Sequence, residues 1–287
     1  YPSSMDPKCL DHCLTKAERQ AFEKDGYFIV ENALDADHIE KLIETTDLID
    51  AEFRGKEGYL RNEKGNLFVD DFVGKDEVYI DLVDWYRTFP KVFGILGWNI
   101  QLYHSHLNIT YTRESEDQRD KILGWHQDSD RMNREIDNVF PQPRFSLKVG
   151  YFLTDCSEPG RGNFHLIPGS HLKKNIEFPN DDRRYEIEEG IPILVPPGSA
   201  VYFDRRIWHS ASANYWEHSR KVLFYGYSYR WIRPRDNMTV DFDGMDSIRR
   251  QLFGDATGGR GYTSPKDDDV PLRTWIREHI GEEAVIA

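Results

Sequence analysis

Three cysteines in 287 residues, Cys9, Cys13 and Cys156, are too few and too irregularly spaced for a disulfide framework. Cys9 and Cys13 form a C-x3-C pair beside His12, the start of a zinc clip, but no second pair completes four ligands. Reduced thiols in a cytoplasmic protein are the simpler reading. Long apolar runs are missing too: no stretch approaches the ~18 residues of a membrane span. Tyr1-Pro2-Ser3-Ser4-Met5 has neither the basic nor the apolar region of a secretory signal. Positive charge is in deficit, 37 Lys+Arg against 50 Asp+Glu for a net charge of −13. That deficit argues against nucleic acid or an anionic membrane as partner. It also weighs against a long acyl-CoA, although Lys173-Lys174, Arg183-Arg184 and Arg205-Arg206 keep a phosphate contact open.

What is present reads as one globular domain, residues 1–287, with no repeats. Thr15-Lys16-Ala17-Glu18 is a capping box opening a helix that stops at Asp25-Gly26. Tyr27 to Val30 is a short strand, and Asp35 caps a second helix with Ile39, Leu42, Ile43 and Thr46 on its apolar side. Helical pieces over 76–85 and 90–96 complete an N-terminal part spanning about 15–97. From residue 100 the pattern changes to short strands over 100–111, 122–128, 146–154, 163–168, 192–195, 199–203, 206–212 and 220–232. Turns at Pro159-Gly160, Pro168-Gly169 and Pro197-Gly198 separate them, which predicts a sandwich or barrel over about 100–235. An extension over 236–287 includes a mobile stretch at 254–269 and a helix over 271–280. Loops 113–121 and 129–143 flank one strand as candidate lids.

That strand carries His126-Gln127-Asp128. On a strand, residues two apart share a face, so an imidazole and a carboxylate converge as two thirds of the 2-His-1-carboxylate set of non-haem iron oxygenases. The motif alone decides little. Ten His and 50 Asp+Glu in 287 residues give about 1.7 His-x-Asp/Glu matches by chance, and the chain has two. The other, His38-Ile39-Glu40, falls in the second helix, where residues two apart point about 200° apart and cannot chelate one ion. Among the remaining histidines, His209 best suits a third ligand, with a hydrogen-bonded core histidine as the alternative. A hairpin would bring Arg220 beside it, on a face with Val222 and Phe224. A buried guanidinium requires an anion, and its fork suits a carboxylate; an internal pair with Asp204 or Glu217 would serve as well.

The spacing His126-x-Asp128…His209…Arg220, with the turn Gly162-Asn163-Phe164-His165-Leu166-Ile167-Pro168-Gly169-Ser170-His171, resembles the phytanoyl-CoA dioxygenase family. The likeness covers about residues 18–235. It implies a mostly β fold with flanking helices, built on a double-stranded β-helix (jelly-roll, cupin-like) core. It also implies Fe(II) held by His126, Asp128 and His209, 2-oxoglutarate as cosubstrate with its distal carboxylate on Arg220, and O2. The implied reaction couples decarboxylation of 2-oxoglutarate to succinate and CO2 with attack on a substrate C–H bond, most simply hydroxylation.

Departures from the pattern matter. Where the family commonly has a Ser two residues past the distal His, this chain has Ala211 between Ser210 and Ser212. Where an aromatic often stands in the strand Ser146 to Leu153, this chain has Gly150. Ser146, Lys148, Gly150 and Phe152 share one face. If it looks inward, Lys148 contacts 2-oxoglutarate or an acidic substrate group in the space at Gly150; if outward, it meets solvent. Asn108 is a further candidate for the keto acid, and Lys148, Arg161 and Trp125 for the substrate. Arg131, Arg144, Lys148 and Arg161 would favour an anionic or zwitterionic small molecule. Two rival readings are a three-His cupin centre using His104, His106 and His209, and a non-catalytic jelly-roll binding module; on any of these readings the protein is expected to act as a monomer or homodimer.

Overall fold

The computed structural model describes residues 5–54, 56–57, 66–114, 124–128, 130–136, 138–237, 239–255, 262 and 265–285. Helix α1 (Lys16–Asp25) starts on the anticipated capping box: Glu18 N–H donates to Thr15 Oγ1 at 3.2 Å and Thr15 N–H to Glu18 Oε2 at 2.8 Å. It ends at Gly26, whose φ of 85° is the left-handed conformation that favours glycine. Strand β1 (Tyr27–Val30) and helix α2 (Ala36–Phe53) follow. His38 therefore lies in a helix, its ring 4.3 Å from that of Trp85.

Strand β2 (Leu67–Asp70) was not expected from the sequence pattern. Helices α3 (Glu77–Ile80) and α4 (Phe89–Leu96), joined through a 3-10 turn at Asp81–Asp84, match the anticipated helical pieces. Then come β3 (Ile100–Thr110), α5 (Asp130–Glu135), β4 (Ser146–Phe152), β5 (Phe164–Leu166), β6 (Ile191–Pro192), β7 (Ser199–Asp204), β8 (His209–Ala211) and β9 (Arg220–Tyr229). Helices α6 (Ser247–Leu252) and α7 (Pro271–His279) close the chain. Most of loop 113–121 and of the stretch 256–264 lies outside the described residues.

Six strands form an antiparallel sheet in the order β1-β7-β4-β9-β3-β2, and three form a smaller one in the order β6-β5-β8. The two sheets face each other as a jelly roll with flanking helices, and the cavity between them holds the candidate site. Helices cover the outer face of the larger sheet. Leu147, Val149, Tyr151, Tyr202, Leu223, Tyr225 and Tyr227 point into that layer, which also buries Phe22, Leu42, Val78 and Phe89. Its tyrosines carry their hydroxyls to partners on the helical side. Tyr202 donates to Thr88 O at 2.8 Å, Tyr225 to Tyr79 O at 2.8 Å and Tyr227 to Val83 O at 2.7 Å, while Tyr151 shares a 2.6 Å bond with Thr88 Oγ1. A buried phenol is tolerable only when its O–H is paired.

Because both faces of β4 are covered, neither is left to solvent. Lys148 is accordingly buried, at 3% exposure, although Val149, Tyr151 and Leu153 form the more apolar set.

Candidate metal centre

The segment 124–128 is not the regular strand that period-2 reasoning requires. It runs antiparallel to 205–209 through a single bridge. His126 N–H donates to His209 O at 3.0 Å, His209 N–H to His126 O at 2.9 Å, and Asp128 N–H to Arg205 O at 3.0 Å. These bonds still leave His126 and Asp128 on one side, facing His209 at the start of β8. One ligand atom from each of the three residues lies within 4.8 Å of the other two.

Each histidine is fixed by the carbonyl two residues before it. His126 Nδ1 lies 3.1 Å from Gly124 O and His209 Nδ1 2.9 Å from Ile207 O. A carbonyl only accepts, so Nδ1 carries the proton in both rings and each Nε2 keeps its lone pair. His209 Nε2 is 4.0 Å from Asp128 Oδ1, and the two rings are 4.3 Å apart. Lys148 Nζ sits 3.0 Å from both oxygens of Asp128 but hydrogen-bonds only Oδ1; buried Oδ2 makes no hydrogen bond. Two oriented lone pairs and a carboxylate oxygen with an unmet valence are the donor set a divalent cation completes.

The electrostatics agree. Burial works to raise the Asp128 carboxyl, but the Lys148 ammonium and the two imidazoles hold it well below the usual carboxylate range. Burial, with His126 alongside, pushes His209 down to about 3 against the pull of Asp128. The carboxylate is charged and His209 neutral near pH 7, as metal ligation requires.

The cavity beside these residues measures about 540 Å³ and is lined by Asn108, Thr110, Lys148 and Arg220 as well as the three ligand candidates. Arg220 is 2% exposed, lies over the Phe152 ring at 5.6 Å and donates from Nη1 to Thr110 Oγ1 at 3.3 Å. It does not reach the cavity by a hairpin with His209: β8 belongs to the small sheet and β9 to the large one, so the two residues meet from opposite walls. Asp204 and Glu217 serve other groups, Asp204 binding Arg206 at 2.6 Å and Arg144 at 2.8 Å and Glu217 lying 3.6 Å from His218. Asn108 Oδ1 is buried in the cavity wall without a hydrogen bond.

Other anticipated residues are placed elsewhere. The space expected at Gly150 is filled, since a Cβ there would stand 2.8 Å from Phe224. Trp125 packs with Ile167 and Trp208 and donates to Tyr185 O at 2.9 Å, lining a separate cavity of about 490 Å³. Arg161 pairs with Asp155 and Glu158 and stacks on Trp216, Arg131 pairs with Glu135, and Arg144 with Glu23 and Asp204. Of the four basic residues weighed for substrate charge, Lys148 alone lines the main cavity; Arg235, not anticipated, lines it too. His104 and His106 also line it, but no metal-capable group among the described residues joins them to His209. The partner of His104 is Asp236, which sequence spacing had no means to bring 132 residues back to β3.

Solved structures share this architecture. HygX from Streptomyces hygroscopicus, with nickel, 2-oxoglutarate and hygromycin B bound, superposes with a TM-score of 0.62 at 15% identity, covering 77% of this chain and 90% of that one. The epimerase SnoN, in complex with Fe3+, alpha ketoglutarate and nogalamycin RO, gives a TM-score of 0.59 at 19% identity, covering 84% and 93%. Residues 22–222 match the family model for phytanoyl-CoA dioxygenase, PhyH. With His126, Asp128, His209 and Arg220 all inside the matched segment, the chain belongs to the phytanoyl-CoA dioxygenase family.

Proposed function

We propose that this protein is an Fe(II)- and 2-oxoglutarate-dependent oxygenase that hydroxylates an unactivated C–H bond of a small molecule, releasing succinate and CO2. The observation that carries this reading is the convergence of His126, Asp128 and His209, each with a donor atom oriented by the backbone or left without a hydrogen bond. When bound, iron supplies the coupling of 2-oxoglutarate decarboxylation to attack on the substrate. The chain's own residues do the positioning. Gly124 O and Ile207 O hold the imidazoles in the ligating tautomer, and Lys148 keeps Asp128 charged and aimed. Arg220, buried at the cavity wall, takes the distal carboxylate of 2-oxoglutarate through its fork. Thr110 Oγ1, already on Arg220, is the hydroxyl that stands in for the one missing at Ala211. Asn108 offers an amide to the keto acid.

Anaerobic addition of Fe(II) and 2-oxoglutarate should produce a visible charge-transfer band that Asp128→Ala abolishes. A substrate screen scored by succinate release then separates the outcomes by product mass. Hydroxylation adds one oxygen, desaturation or ring closure removes two hydrogens, and epimerisation, the activity named for SnoN, leaves the mass unchanged. No band and no 2-oxoglutarate turnover in the wild type would leave a jelly-roll binding module instead.

A further inference from the structure

The two faces of the small sheet open onto different cavities. Phe164, His209 and Ala211 line the one that holds the ligand candidates, whereas Asn163, His165 and Ser212 line the second, of about 490 Å³. This is the alternation that a strand imposes, and the same split separates Gly124 and His126 from Trp125. Among the described residues, none lines both cavities.

The segment 183–190 roofs the second cavity and is tied down at both ends. Trp125 N–H donates to Arg183 O at 2.8 Å, and Trp125 Nε1 donates to Tyr185 O at 2.9 Å. Gly190 N–H donates to Ile187 O at 3.0 Å, and Pro192 of β6 then lies opposite His165 of β5. Gly190 meets the Trp125 ring so closely that a Cβ would stand 2.7 Å from it. Backbone bonds and this contact fix the roof in place, over a volume in the range of small-molecule pockets.

His165 is the polar group inside that nothing in the chain engages. It makes no hydrogen bond among the described residues, and burial alone acts on its pKa, lowering it to about 4. Near pH 7 it is an uncharged imidazole with one N–H and one lone pair. Its ring meets that of Trp125 edge-on at 6.4 Å. Asn163, on the same face, is fully engaged: Nδ2 donates to Cys156 O at 2.9 Å and Glu158 O at 3.1 Å, and Oδ1 accepts from Arg161 N–H. Glu186, exposed at the rim, is the one charged residue of the described lining, which has no Lys or Arg. A carboxylate and a neutral imidazole give a phosphate or carboxylate ligand no counter-charge. They suit a cation with N–H donors, and the Trp125 and Tyr215 rings in the wall suit a flat apolar body.

We propose that this cavity is a second small-molecule site, separate from the metal centre, that takes an aromatic amine. The ammonium group donates to the free lone pair of His165 with its charge towards Glu186, and the aromatic ring lies against Trp125 and Tyr215. The proposal does not rest on the oxygenase reading, because none of these residues lines the metal cavity.

Isothermal titration calorimetry with tyramine as the probe tests it, on the full chain both metal-free and loaded with zinc and 2-oxoglutarate. Tyramine should bind both forms with a Kd of about 1 mM or tighter. The uncharged 4-ethylphenol and the anionic 4-hydroxyphenylacetate should each bind weaker by about tenfold or more. His165→Phe, which keeps a ring and removes both nitrogens, should weaken tyramine by about tenfold. Glu186→Gln, at the exposed rim, should weaken it by about two- to fivefold. If His165→Phe does not fold, nitrogen-15 NMR of the histidine-labelled wild type answers the same question. The His165 signal, assigned by its absence in His165→Gln, should shift as tyramine is added. Absence of saturable binding, equal binding of the anion, or a His165 signal unmoved by the amine overturns the proposal. So does an affinity unchanged in His165→Phe, which would place the amine elsewhere. Failure of the wild type to form the iron–2-oxoglutarate band would sink the oxygenase reading and leave the metal-free titration standing.

Discussion

Alternate residues of the same strands build two faces of the six-stranded sheet that obey different rules. On β9, Leu223, Tyr225 and Tyr227 enter the helix-covered layer, while Arg220 and Phe224 line the cavity. On β4 the split is Leu147, Val149 and Tyr151 against Lys148. On the outer face the polar groups are paired: the four tyrosines contributed by the central strands each have a hydroxyl partner, and Lys221 of β9 pairs with Asp47 at 2.7 Å. The cavity side holds an ammonium, a guanidinium and several imidazoles, and leaves Asn108 Oδ1 and Asp128 Oδ2 buried without hydrogen bonds. Leaving a buried polar atom unmet costs roughly 1–3 kcal/mol. The outer face avoids that cost and the inner face carries it, which marks the inner face as the one shaped for something other than stability.

The largest effect should come from breaking the inner face. Asp128→Ala removes the only carboxylate of the cluster, and turnover should fall by more than about a hundredfold, the upper end of what loss of a mere supporting contact costs. Thermal unfolding should shift downwards as well, because the buried Lys148 ammonium loses its carboxylate partner, but it should stay cooperative, since Lys148 borders the cavity and not the packed helical layer. Loss of cooperative unfolding in this variant would show that the two faces are not separable. Arg220→Lys comes next. It keeps the charge and loses the fork, so KM for 2-oxoglutarate should rise roughly ten- to a hundredfold, as expected when a charge-assisted hydrogen bond is lost. Equilibrium binding of 2-oxoglutarate to the metal-loaded protein measures it, and an unchanged affinity would remove Arg220 from the cosubstrate site.

This division also explains what could be read from the sequence. Local signals were legible: the Thr15–Glu18 box, the start of α2 after Asp35 (whose side chain makes no capping bond and pairs with Arg87 instead) and the β-rich region from residue 100 all concern neighbours within a few positions. The motif at His126 and Asp128 was legible although its strand was not, because two backbone bonds to 205–209 reproduce the facing that a regular strand would give. Which face of β4 looks inward was not legible, since helices cover the side of Leu147, Val149 and Tyr151, the cavity takes the side of Lys148, and neither is left to solvent. Asp236 was invisible because its partner is a matter of where the segment after β9 folds back, not of spacing. Trp125 was misjudged for a related reason: adjacency to His126 in sequence puts it on the other side of the backbone, away from the cavity.

The small sheet repeats the comparison on β5, where Phe164 and Leu166 pack inward and His165 turns to the second cavity. Burial lowers His165 from its ordinary value of 6.5 to about 4. A group whose folded pKa is depressed binds its proton more readily when unfolded. Its contribution to stability is therefore complete above about pH 6.5 and is lost as pH falls towards 4. The loss should reach up to about 3 kcal/mol across that window. Denaturant unfolding of His165→Gln at several pH values isolates it: the variant should lose less stability between pH 6.5 and 4 than the wild type. Parallel curves would show that His165 does not supply the slope. The 2-oxoglutarate affinity at pH 7 should be the same in both, because His165 is outside the main cavity.

Tyr225→Phe is the mildest way to probe the outer face and the sharpest control on the comparison. The side chain keeps its ring against Phe72 and Tyr151 and loses only the hydroxyl that reaches Tyr79 O. The carbonyl left behind is buried, so stability should drop by about 1 kcal/mol, read as a lower denaturant midpoint with an unchanged slope. On the same strand Arg220 and Phe224 point the other way, and neither 2-oxoglutarate affinity nor the yield of succinate per folded molecule should change. A shift in either would mean that β9 transmits outer-face packing to the cavity. In that event the polar atoms of the inner face owe their positions to the tyrosine layer, and the two faces form one mechanical unit.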